Sequence, residues 1–117
     1  MTRLAILAAC LALTAAPAFA QAGNPGRGLD YARAACADCH QVEPEGATPP
    51  YSKAPAFSDV AMTPGMTSIA LLAWLHTSHP NMPNLVIPRD RVDDLLAYFQ
   101  ALRAAGKEAD KRQGKPD

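Results

Sequence analysis

A chain of 117 residues, 49% of them hydrophobic, with 11 Lys+Arg against 11 Asp+Glu, has room for one small domain and no net formal charge. That balance, without a basic stripe, excludes a nucleic-acid partner. No apolar run reaches the roughly 20 residues of a membrane span, so no stable membrane anchor is expected.

The first segment reads as a leader. Met1-Thr2-Arg3 is a short positive start, Leu4 to Ala16 is apolar with no charge, and Pro17-Ala18-Phe19-Ala20 closes on an A-x-A cleavage pattern. This is the layout of a secretory signal peptide over residues 1–20, with residues 21–117 as the mature domain. Leu7-Ala8-Ala9-Cys10 resembles a lipobox. The apolar segment before it is about six residues, shorter than the roughly 7–15 that a signal requires, so Cys10 is read as leader filler. Removing Arg3 with the leader makes the mature polypeptide slightly acidic.

The first helix is expected from Gly26 to Asp38, where Leu29, Ala32, Cys36 and Cys39 form a helical stripe. Cys36-Ala37-Asp38-Cys39-His40 spells C-x-x-C-H, the attachment pattern of a c-type haem. Cysteines three apart on one helical face can reach the two vinyl groups on one porphyrin edge. The imidazole of His40 follows where it can turn under the iron. These are the only two cysteines of the mature chain, so none remains for a structural disulfide. Zinc held with His76 or His79, and dithiol redox chemistry, are the competing readings. The first would normally show a second paired-ligand knuckle and the second a βαβ setting, and neither pattern is present.

Between the first and second helices lie Pro44, Pro49, Pro50, Pro55 and Pro64, which rule out long helices and favour extended, turned backbone. More than twenty residues without structure of their own make sense if they wrap a bulky cofactor. The middle helix is expected from Thr67 or Ser68 to about His76; Ile69 to Leu75 is apolar all round, which places it inside the molecule. The last helix carries Val92, Leu95, Leu96, Phe99 and Leu102 on one face. Arg91, Asp93, Asp94 and Arg103 read as its solvated side. Pro88 suits its first turn, Gly106 its stop, and Lys107 to Asp117 a frayed polar tail.

If the iron is six-coordinate, Met62, Met66, Met82, His76 and His79 are the candidates opposite His40. Met82 lies in the Pro-bracketed run His79-Pro80-Asn81-Met82-Pro83, where a stiff backbone pre-positions a ligand.

Cys36-Ala37-Asp38-Cys39-His40, Ala54-Pro55-Ala56-Phe57, Met82-Pro83 and the closing Asp94-Leu95-Leu96-Ala97-Tyr98-Phe99, in this order and spacing, resemble a small bacterial monohaem cytochrome c of class I. The resemblance spans about Gly26 to Leu102. It implies an all-α, cytochrome c-like fold, with three main helices and Pro-rich loops around one covalently bound haem c. It implies Cys36 and Cys39 as thioether attachments, and His40 and Met82 as the metal ligands. Pro55 would be the proline whose carbonyl accepts the N–H of His40, and Trp74 would lie over the distal haem face. Gly28 matches the family's helix-crossing glycine, with Tyr98 covering the junction. Ala54 stands where the family often has Gly. The function implied is that of a periplasmic electron carrier, monomeric and not an enzyme, that meets redox protein partners. A cytochrome subunit dedicated to a periplasmic dehydrogenase or oxidase would use the same residues. A haem sensor or peroxidase-like protein follows if Met82 is not an iron ligand.

Overall fold

The computed structural model describes residues 23–49, 53–78, 82 and 85–114. The leader, and with it the expected cleavage site, lies outside the described residues. The fold is all-α, with four helices and no strand among the described residues: α1 Pro25–Ala35, α2 Phe57–Met62, α3 Ser68–Leu75 and α4 Arg89–Arg112. The three expected helices are there as α1, α3 and α4. Helices α1, α2 and α3 each pack on α4, which is the hub of the domain.

Asn24 starts α1: its side chain accepts the N–H of Arg27 at 3.0 Å, and Pro25 occupies the first turn, where a missing N–H costs nothing. The helix ends earlier than its periodicity suggests. Cys36, at φ −123°, leaves the helix, and the C-x-x-C-H run forms turns in which Cys39 and His40 both donate to the Cys36 carbonyl, at 3.1 and 2.9 Å. Cys and Asp are weak helix formers, so the apolar stripe continues past the residues that can sustain helix. The two cysteines therefore do not share a helical face; Cys36 is half-buried and Cys39 exposed.

α1 crosses α4 at Gly28. A Cβ there would lie 2.1 Å from the Asp94 carbonyl oxygen and 2.8 Å from the Tyr98 Cβ, so only glycine permits this approach. Beside the crossing, Asp94 is 2% exposed, which corrects the expectation of a solvated side chain. Its carboxylate accepts a two-pronged bond from Arg27, at 2.7 and 2.8 Å, and the backbone N–H of Asn24 at 2.6 Å. Sequence spacing along α4 could not reveal this, because the partners are about seventy residues away. The Arg27 guanidinium, then the Asn24 N–H, hold the Asp94 carboxyl below its ordinary value of 3.8. A lowered folded-state pKa contributes stability that is fully present above the unfolded value and lost as pH falls through the folded one. Acid unfolding of the protein below about pH 4 is thus expected to be less steep in Asp94→Asn, which is also less stable than wild type at pH 7. Denaturant melts at the two pH values check this.

The segment between α1 and α3 is more ordered than its prolines suggest. Gln41 organises it: the side-chain amide donates to the Glu43 and Pro44 carbonyls, at 3.2 and 3.0 Å, and accepts Thr48 Oγ1 at 2.9 Å. Arg33 holds Glu43 through a two-pronged pair at 2.9 and 2.8 Å, and Tyr98 Oη donates to the buried Val42 carbonyl at 2.7 Å. The segment also contains α2, which the sequence reading left as loop. Phe57, Val60 and Ala61 stand at helical spacing, with Asp59 in the first turn.

Thr67 caps α3, accepting the Ala70 N–H at 3.1 Å. The expectation that α3 is enclosed on all sides is corrected. Leu71 is its buried residue, whereas Ile69 is 80% and Trp74 55% exposed. α4 is its helical neighbour, and one neighbour covers one stripe.

On α4, Leu95, Phe99 and Leu102 are buried, and Val92 and Leu96 pack against them, as the apolar spacing predicts. Its length is a further correction. Gly106 does not end it; the helix continues to Arg112. Gly106 is instead a contact point, where a Cβ would meet Met62 Sδ at 2.5 Å. The stop is Gly114, at φ +68°, whose N–H reaches the Lys111 carbonyl at 3.2 Å.

Candidate haem site

His40 follows directly on the turn that ends α1. Its Nδ1 lies 2.7 Å from the Pro55 carbonyl oxygen. A carbonyl only accepts, so Nδ1 carries the proton and donates, which leaves Nε2 with its lone pair. The same bond anchors Nδ1 and raises the basicity of Nε2, as is usual for a metal-bound histidine. The contact between Pro55 and His40 that the family resemblance implies is thus present in the structure.

Two further contacts lock these segments together. The Phe57 N–H donates to the Gln41 carbonyl at 2.9 Å, and the Phe57 ring lies against the His40 ring with centroids 5.3 Å apart and planes at 58°. Phe57 in turn packs on Phe99 of α4, with centroids 4.6 Å apart. Sequence reasoning used Phe57 only as a landmark. The available signal was its place two residues after Pro55.

Before haem is attached, burial holds the Cys36 thiol above its ordinary value. Met82 is half-buried, and its neighbours 79–81 and 83–84, among them His79, lie outside the described residues. His76 is exposed at the C-cap of α3. Among the described residues no group of three or more His, Cys, Asp or Glu could hold a metal ion, so His76 does not complete a zinc site with Cys36 and Cys39. A cavity of about 160 Å³ between α2, α3 and α4 is lined by Ala61, Leu71, Leu96 and Phe99, with Ser68, Gln100 and Arg103 among its polar lining. Phe99 on its wall packs against Phe57, which in turn packs against His40.

The donor set fits a haem: two thiols three residues apart, an imidazole with its outer nitrogen available, and a thioether. Trp74 and Ile69 of α3 expose apolar surface, the kind that a porphyrin plane can cover.

Comparison with known proteins agrees. The chain is 34% identical over 93 residues to cytochrome c-552 of Bradyrhizobium diazoefficiens, covering 80% of this chain and 88% of that protein. The chain belongs to the small class I c-type cytochromes. Its cofactor is covalently bound haem c, and Cys36 and Cys39 stand in the C-x-x-C-H run that such attachment uses. As a c-type cytochrome it is a haem-containing electron carrier that meets redox partners. No family model and no solved structure matches the chain. Among the described residues no helix is long and apolar enough to cross a membrane.

Proposed function

We propose that this cytochrome is a monomeric periplasmic electron carrier, exported by the signal peptide of residues 1–20 and folded as one domain over residues 21–117. Cys36 and Cys39 would bond the haem, and His40, through Nε2, and Met82 would ligate its iron. The observation that carries this reading is the 2.7 Å contact between His40 Nδ1 and the Pro55 carbonyl. It supports the tautomer that a metal-ligating histidine uses, with Nε2 available.

When bound, the haem supplies a one-electron Fe(III)/Fe(II) couple. The protein's residues do the rest. His40, held by Pro55 and Phe57, keeps its orientation in both oxidation states, and a thioether from Met82 favours the reduced state. Trp74, half-exposed on α3, would pack against the haem. The buried side chains of Phe57, Leu71, Leu95 and Phe99 keep water away from the proximal segment. With His40 and Met82 both engaged, no position is open to a substrate, which makes the protein a carrier and not an enzyme. Exposed Cys39 suits electron exchange at the surface through brief encounters, whose interfaces are small.

Met82→Ala tests the ligand assignment. The oxidised variant is expected to lose the weak far-red sulfur-to-iron absorption band, and its reduction potential is expected to fall. Retention of that band assigns the thioether to Met62 or Met66. A wild type without the band overturns the thioether assignment and leaves His76, His79 or an open position.

A further inference from the structure

The His40 imidazole is fixed at Nδ1 by one hydrogen bond, and a single bond leaves the ring free to roll about that contact. Phe57 removes this freedom. Its ring stands 5.3 Å from that of His40 at 58°, a tilted aromatic contact, and is 5% exposed. Phe57 cannot retreat, because Phe99 backs it at 4.6 Å and its own N–H is bonded to Gln41, the residue after His40. Residues 40–41 and 55–57 thus form a closed clasp: His40 donates to Pro55, Phe57 donates to Gln41, and the two rings meet between them.

We propose that Phe57 is a positioning residue for His40, setting the rotational orientation of the imidazole plane and transmitting to it the packing of α4 through Phe99. This rests on the reading of His40 as the iron ligand. The ring plane decides how the imidazole orbitals align with those of the iron, so the signature of Phe57 is spectroscopic as well as structural.

Two measurements on the haem-loaded protein test the proposal. In proton NMR of the reduced wild type, the His40 ring protons are expected to carry the large upfield shifts of an iron ligand and to show cross-relaxation with the Phe57 ring. Unshifted His40 protons overturn the ligand reading itself. Shifted protons without contact to Phe57 overturn only the positioning role. In electron paramagnetic resonance of the oxidised protein, Phe57→Leu keeps apolar bulk but loses the flat face, and is expected to shift and broaden the principal g-values. Phe57→Tyr keeps the face and is expected to restore them. Phe99→Leu removes comparable core area one layer further out and is expected to change them less. Equal spectra for wild type and Phe57→Leu, despite a lowered melting temperature, would make Phe57 core packing and nothing more. If Phe57→Leu does not load haem, the NMR contact in the wild type decides.

Discussion

A chain carrying both Cys36→Ala and Cys39→Ala is expected to hold no covalent haem at all. Acidified organic solvent should strip every trace of haem colour from the variant, whereas in the wild type the colour stays with the polypeptide. Residues 21–117 hold no other cysteine, so no second thiol there can substitute. Among the described residues, the helices α1, α2 and α3 each make their helix–helix contacts with α4. Loss of the bonded cofactor should therefore lower the yield of folded protein as well. Either single variant keeps one attachment point and is expected to retain haem after extraction at reduced yield. Haem that resists extraction from the double variant would disprove attachment at these thiols.

The second large effect is expected at Gly28. In Gly28→Ala the new Cβ would lie 2.1 Å from the Asp94 carbonyl oxygen and 2.7 Å from its carbon, backbone atoms of α4 that cannot swing aside. α1 and α4 must then separate. That loosens the Arg27–Asp94 pair and the bond from Tyr98 to Val42, two residues beyond His40. Overpacking of this kind costs about 1–3 kcal/mol, and backbone collision places it at the upper end. At roughly 4–8 °C per kcal/mol for a domain of this size, the melting temperature should drop by more than about 10 °C. Gly106→Ala is the internal control. Its Cβ meets Met62 Sδ at 2.5 Å, the end of a flexible side chain, and alanine gains up to about 1 kcal/mol of helix propensity over glycine. Its melting temperature should stay near that of the wild type. Thermal melts of the three haem-loaded proteins compare the two sites. A Gly28→Ala protein that melts with the wild type would mean the helices do not cross there.

Much of this architecture was legible in the sequence because it rests on local signals. The apolar spacing of α4 located Leu95, Phe99 and Leu102 in the core, and Thr67 marked the start of α3. Gly28, Tyr98 and Pro55 came from the resemblance to the family, and their close approach and hydrogen bonds are seen in the structure. What was not legible depends on pairs distant in the chain. Asp94 looks like any acid on a solvated helix face until Arg27 and Asn24 arrive from the other end of the sequence. Phe57 gains its place beside His40 only when Gln41 and Phe99 hold it there. Two readings failed because a pattern was extended past its cause. The stripe through Cys36 and Cys39 continued where weak helix formers release the backbone into turns. Gly106 looked like a helix stop, but its missing side chain serves a contact with Met62, while Gly114 with its positive φ is where α4 ends. The all-apolar run of α3 indicated burial without naming what buries it.

The proposed ligation of the iron by both His40 and Met82 would leave no position open to an added ligand. Exposure of the reduced wild-type protein to carbon monoxide at neutral pH, followed by absorption spectroscopy, tests it most directly. The account predicts an unchanged reduced spectrum and reversible reoxidation afterwards, because the ligand has no position to take. Prompt formation of a carbon monoxide adduct would contradict it, and would mark an open site belonging to a sensor or a peroxidase-like enzyme.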